Sequence, residues 1–307
     1  MKDSAKLRRH LCLIRYTDSN RYPTAGELCW HLREQDFEQH SLKTVERDLR
    51  DIRADYGIPI MYDRKQRGYR LTLAADEDVA DMQAYIRLLE RRERLDVLIE
   101  PGRRAVQHIQ LEAHDGFRGL DLLEPLYTAL QRRLVVTFQY RAYGEAQPRQ
   151  RRVEPGLLYE FRNRWYLDGY DLDVPLPKNG QRTFGLDRIQ HLTLTTEPTT
   201  PNRTVDYRAA RRHVIGVTAP PEQAPERVVL RFTGIQRDYV QSLPMHHSQQ
   251  VVSETGESLT VALWVKINPE LINQLLMYGE FVEILEPPAL REKIAGRVRA
   301  MNEIYKT

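Results

Sequence analysis

At Leu134 the hydrophobic pattern of this chain changes period, and that change constrains its fold more than any other feature. Upstream, apolar residues recur at helical spacing: Leu7, Leu11 and Ile14 in 4–17, Leu28 and Leu32 in 24–35, and Val45, Leu49, Ile52 and Tyr56 in 41–57. Downstream they alternate, in 134–140, 156–161, 164–171, 182–189 and 190–196, with Gly, Pro and Asn between the runs. Helices gathered before strands predict an α+β protein of more than one domain. A length of 307 residues and a hydrophobic content of 41% allow two or three cores.

The N-terminal part reads as a winged helix-turn-helix over residues 1–75. Thr24 and Ser41 are placed to cap the second and third helices, and Gly57 to stop the third. At about 100° per residue, Lys43, Arg47 and Arg50 fall opposite the apolar seam of the third helix. The stretch 58–73 offers two strands joined by the basic turn "DRKQRG", a wing beside that helix. A helix of this kind enters the major groove, where base edges carry a readable donor and acceptor pattern. Arg47 and Arg50 are the candidate base readers; Ser41, Lys43, Thr44, Arg64, Lys65 and Arg67 are the candidate phosphate contacts. A charged helix face taken alone is more often merely solvated. Here helix, cap, stop and basic wing occur together, and the joint pattern favours DNA. Residues 1–73 carry 15 basic and 11 acidic side chains, so placement rather than bulk charge makes the case. "T-x-x-RDL" at Thr44 to Leu49, the Gly57 to Ile60 step and the pair Gly68 and Tyr69 resemble the DeoR-like winged helices of bacterial repressors.

Residues 76–130 are expected to be a helical connection. Val79, Met82, Ile86 and Leu89 give 76–99 one apolar face, which suits a core helix and a dimerising helix equally. Residues 100–120 have no firm periodicity and read as linker; 120–133 is helical despite Pro125. Over 131–200, five short strands in about 65 residues suggest a small β-barrel. In the run "RNRWYLDGYD" (162–171), strand geometry puts Trp165 and Leu167 on one face and Arg164, Tyr166 and Asp168 on the other. The first face packs; the second can present a phenol and a guanidinium together.

That run, with Tyr140 and Arg141, Arg152 and Pro155, and "R-x-F-x-L-D-R-I" from Arg182 to Ile189, resembles the WYL domain, an SH3/Sm-like barrel of bacterial regulators. The resemblance implies an anionic effector, a nucleotide or single-stranded nucleic acid. It carries over to Arg152, Tyr166, Arg182 and Arg188, with Tyr140 and Tyr159 as stacking candidates. Gly185 stands where many relatives have a larger residue, which implies a different pocket edge. Arginines beside tyrosines supply the bidentate contacts and ring faces that base-bearing anions need, although a single Arg or Tyr on a barrel more often makes a structural bond.

Residues 201–307 read as a C-terminal α/β sandwich: strands at 226–234 and 258–267, a helix at 268–279 capped by Asn268, a strand at 281–287 and a closing helix at 288–307. "VxLxF" and the Gly279 to Pro287 turn resemble the extension that accompanies WYL domains and helps them dimerise. The layout as a whole is similar to repressors found beside phage-defence operons. These likenesses imply a homodimeric transcription regulator, a repressor on a pseudo-palindromic duplex operator. A single-strand or RNA-binding module without a transcriptional role is the alternative.

Other classes find little support. Nucleotide, hydrolase and metalloprotease motifs are missing, so no enzyme and no cofactor are expected. His246 and His247 are adjacent and cannot chelate alone; Cys12 and Cys29 make neither a zinc motif nor a disulfide framework. No run approaches the ~20 apolar residues of a membrane span, and no signal-peptide core follows Met1, so a cytoplasmic protein is expected. Of the 46 basic residues, 38 are Arg, the cation suited to forked phosphate and guanine contacts.

Overall fold

The computed structural model describes residues 2–18, 22–35, 37, 41–72, 76–99, 119–175, 179–200, 205–220 and 222–306. The chain divides into two compact units, Met1–Glu112 and Ala113–Thr307.

The first unit runs α1 (Lys2–Asp18), α2 (Ala25–Glu34), α3 (Leu42–Tyr56), β1 (Ile60–Asp63), β2 (Gly68–Leu71) and α4 (Asp76–Ile99). Local chemistry sets its boundaries. Thr24 closes a capping box with Glu27, the Ser41 hydroxyl accepts the Thr44 N–H at 3.2 Å, and Gly57 ends α3 in the left-handed region at φ 65°. The seam foreseen on α3 is buried as Val45, Leu49 and Ile52, against Leu11 and Ile14 of α1 and Leu28 and Leu32 of α2. Strands β1 and β2 pair antiparallel from Ile60↔Leu71 to Asp63↔Gly68. Helix α4 adds Ile86 and Leu89 to the same core, so its apolar face is spent within this unit, apart from Val79, which is exposed. The linker at 100–118 lies outside the described residues.

The second unit holds two cores. Helix α5 (Leu123–Arg132) accommodates Pro125 in its first turn, where a missing N–H costs nothing. It is followed by β3 (Leu134–Tyr140), β4 (Arg149–Phe161), β5 (Arg164–Asp171), β6 (Gln181–Gly185) and β7 (Ile189–Pro198), an antiparallel sheet in the order β6-β5-β4-β3-β7. A 3-10 turn, Leu186–Arg188, joins the edge strands β6 and β7. Leu126, Val136, Phe138, Leu167 and Phe184 fill this core, with Trp165 packed at its margin.

Helix α6 (Tyr207–Arg211) leads to β8 (Glu226–Thr233), α7 (Gln236–Ser242), β9 (Gln250–Glu254), β10 (Ser258–Val265), α8 (Pro269–Met277), β11 (Val282–Glu286) and α9 (Pro288–Tyr305). The four strands form a second antiparallel sheet, β11-β8-β10-β9. Its inner residues Val228, Leu230, Phe232, Val261 and Leu263 pack with Leu271 and Leu275 of α8 and Leu290 of α9.

Candidate functional site

Helix α3 turns two chemistries in opposite directions. Inward, the Asp48 carboxylate is fully buried and receives Arg9 Nε at 2.6 Å and Nη2 at 3.0 Å, with His10 Nε2 at 3.5 Å. Burial alone would raise the Asp48 pKa. The nearby His10 and the two hydrogen bonds from Arg9 more than reverse this and hold it well below the ordinary carboxylate range. In the last turn of the helix, Arg53 donates to the Ile60 carbonyl at 3.1 Å and ties α3 to β1. Helix rotation is therefore fixed at two points, its middle and its last turn.

Outward, Lys43, Arg47 and Arg50 are exposed, and none of them is in an ion pair among the described residues. Ser41 is exposed at the cap, and Thr44 is half-buried with its hydroxyl 3.0 Å from that of Ser41. In the turn between β1 and β2, Asp63 Oδ1 accepts the N–H groups of Lys65 (2.8 Å) and Gln66 (2.9 Å), and Arg67 takes φ 54°. Those bonds order the turn while Arg64, Lys65 and Arg67 stay exposed. The whole N-terminal set thus lies on the surface of one unit. Met61 (48% exposed) and Tyr62 (50%) add apolar area on β1 that the sequence reading did not single out.

The six residues assigned to the effector do not converge on one point. Tyr159 and Tyr166 are cross-strand partners and stack at 5.2 Å between ring centroids. Gly185 lies opposite Tyr166, and a Cβ there would meet Asp187 Oδ1 at 2.6 Å and Arg188 Nη2 at 2.8 Å. The glycine lets Asp187 and Arg188 fold back over the strand beside Tyr166. Arg188 then rests over two rings, 4.3 Å from Tyr143 and 5.1 Å from Tyr140. Arg164, bonded to the Tyr143 hydroxyl at 3.1 Å, completes the cluster. Burial raises the pKa values of Tyr140, Tyr159 and Tyr166, so all three phenols remain neutral donors.

Two members stand elsewhere. Arg152, on β4 well before Tyr159, is exposed and pairs with Glu197 at 2.7 Å. Arg182 donates to the carbonyls of Asn179 (2.8 Å) and Gln181 (2.7 Å), away from the tyrosine pair.

Arg211 on α6 is the residue missed by the sequence reading. It pairs with Asp168 through both Nε and Nη2, donates to Thr183 Oγ1 at 3.1 Å and to the carbonyls of Gly216 and Val217 at 3.3 Å, and lies 3.5 Å over the Tyr159 ring. Asp168 itself is buried. One guanidinium thereby joins the face of the first sheet to the segment that leads into the second.

Among the described residues, the groups with metal-ligand spacing are already engaged. His10, Asp48 and Asp51 are the cluster with ligand spacing among the described residues, but Arg9 occupies Asp48 and Lys6 occupies Asp51 at 2.9 Å. The rings of His246 and His247 lie against each other at a tilt of 41°, with centroids 4.0 Å apart. Among the described residues no helix is long and apolar enough to cross a membrane.

Comparison with known proteins places two families on the second unit. Residues 121–194 match the WYL domain and residues 224–301 match the WCX domain. Protein PafB of Mycobacterium bovis and of two strains of Mycobacterium tuberculosis are each 29% identical over 193 residues, 61% of this chain and 55% of theirs. The chain therefore spans about half the length of the curated relatives it matches. Two solved structures are similar at low identity. The proteasome accessory factor B/C (PafBC) of Arthrobacter aurescens aligns over 97% of this chain and 46% of its own, with 17% identity and a TM-score of 0.35. A CRISPR Cas-related protein aligns over 98% and 85%, with 12% identity and a TM-score of 0.41.

Proposed function

We propose that this chain is a sequence-specific DNA-binding transcription regulator, with its first unit as a winged helix and its WYL sheet as the sensor of an anionic effector. The observation that carries the reading is the division of α3. Its inner side is clamped by Arg9 and Asp48, and its outer side offers Lys43, Arg47 and Arg50 with no protein counter-charge among the described residues. Cations left without partners on a rigid helix, beside an ordered basic turn, are what a phosphate backbone and guanine edges recruit. Repression, a homodimer on a pseudo-palindrome, and a place beside a phage-defence operon follow from resemblance and complete the proposal.

At the sensor, Tyr159 stacked on Tyr166 and Arg188 over Tyr140 and Tyr143 supply ring and guanidinium faces, the means by which proteins hold bases and phosphates. An effector acts there only in so far as it binds the operator-bound and free states unequally.

The test is a footprint on duplex DNA upstream of the chain's own gene, searched for an inverted repeat. Arg47→Ala should cost roughly 1 to 3 kcal/mol on that site and relax one base preference. Equal weakening on operator and random DNA would remove Arg47 from the readers, and preference for single strands would favour the alternative of a single-strand or RNA-binding module.

A further inference from the structure

A cavity of about 650 Å³ lies between β5 and β6 of the WYL sheet, helix α6, residues 217–219 and Glu222. Its size is that of a small-molecule site, typically ~300–1,000 Å³. Lys266, immediately after β10, contributes to its wall and is 8% exposed. The ammonium has one hydrogen bond, to the Pro220 carbonyl at 2.9 Å, and no carboxylate within 4.0 Å among the described residues. Arg182 lines the same cavity, and among the described residues its partners are likewise only carbonyls, those of Asn179 and Gln181.

An ammonium taken out of water is costly unless a counter-charge meets it. Asp168 cannot serve, since Arg211 takes both of its oxygens. The remaining carboxylate of the wall is Glu222, which is exposed. Two cations without a carboxylate partner thus face a space large enough for a mononucleotide, with the amides of Asn179 and Gln181 beside them.

We propose that this cavity binds a small phosphate ester of mononucleotide size, with its phosphate between Lys266 and Arg182. The inference rests on the effector reading and gives it a place and a chemistry apart from the tyrosine pair. Two cations favour the dianion, so binding strengthens as the phosphate loses its second proton near pH 6.

The experiment is calorimetric titration of the full chain, without DNA, using adenosine, guanosine and uridine monophosphates, inorganic pyrophosphate, and citrate as a carboxylate source. At least one phosphate probe should bind with a Kd of about 1 mM or better, and Lys266→Met should weaken it at least about tenfold. Glu222→Gln, which removes the competing charge at an exposed position, should tighten binding a few-fold, and affinity should rise between about pH 5 and 7. Should Lys266→Met fail to fold, Lys266→Gln and Glu222→Gln carry the test.

Absence of binding by every phosphate probe, equal binding by the Lys266 variant, or binding of citrate alone overturns the proposal. Arg47→Ala must bind the probe as the parent does. A chain that fails to bind DNA but passes this titration loses the regulator reading and keeps the site.

Discussion

Replacing Asp48 by asparagine tests whether charge holds the inner side of α3. The carboxylate is 0% exposed and receives two hydrogen bonds from Arg9, at 2.6 and 3.0 Å. Removing one partner of a buried ion pair costs roughly 3 to 5 kcal/mol, because the other charge is stranded. The Arg9 side chain keeps 17% of its exposure, so water can reach it in part. Asparagine also retains one acceptor, which brings the expected loss to about 2 to 3 kcal/mol. The two units need not unfold together, so the assay is amide hydrogen exchange within Leu42–Tyr56 of the intact chain. Exchange through opening of the first unit should accelerate by a factor on the order of a hundred.

The pH dependence has a definite sign. Because the folded Asp48 pKa lies below its ordinary 3.8, the stabilisation is complete above that value and is lost as pH falls through the lower, folded one. Parent and variant should therefore differ fully at neutral pH and converge only in strong acid. An asparagine variant that exchanges within about threefold of the parent at neutral pH would refute the argument that the clamp carries this energy.

Two further outcomes are expected. Gly156→Ala should cost about 1 to 3 kcal/mol in chemical denaturation of the second unit, because a Cβ there would lie 2.1 Å from a ring carbon of Tyr207; an unchanged midpoint would mean that the ring moves freely. His246 has its pKa lowered to about 4 by burial and by the neighbouring His247 and His213. The unfolded chain takes up that proton near pH 6.5 and the folded chain only near 4, so stability should fall across this window by at most about 3 kcal/mol; in His246→Gln the fall should be smaller when melting is followed against pH.

The parts of the fold legible in the sequence are those decided locally. Ser41, Gly57 and Asn268 act on their own helices, and the period of apolar residues along 41–57 depends on no distant partner. Strand β9 was missed because all five of its residues are exposed and so carry no alternation. The first half of β4 was hidden by its charges, Arg149, Arg151, Arg152 and Glu154, and a register shift between Pro155 and Leu157 breaks its pattern.

Around Tyr159 and Tyr166 the sequence motifs mark strands but not the partners of their side chains. Arg152 is engaged by Glu197, 45 residues away, and Arg211 reaches Asp168 across 43. Nothing in the spacing of either pair announces it. Lys266 reads in sequence as the polar end of a strand, and only the fold brings Pro220 and β6 around it.

The reach of Arg211 also says where this protein can be cut. A fragment ending at residue 200, where the alternating strands stop, would keep Asp168 in its buried place and discard the guanidinium that neutralises it. The stranded carboxylate would have to take up a proton or drag water into the sheet. An excised module of the first sheet therefore needs its chain carried through Val217, so that the arginine and the two carbonyls holding it travel with the strands.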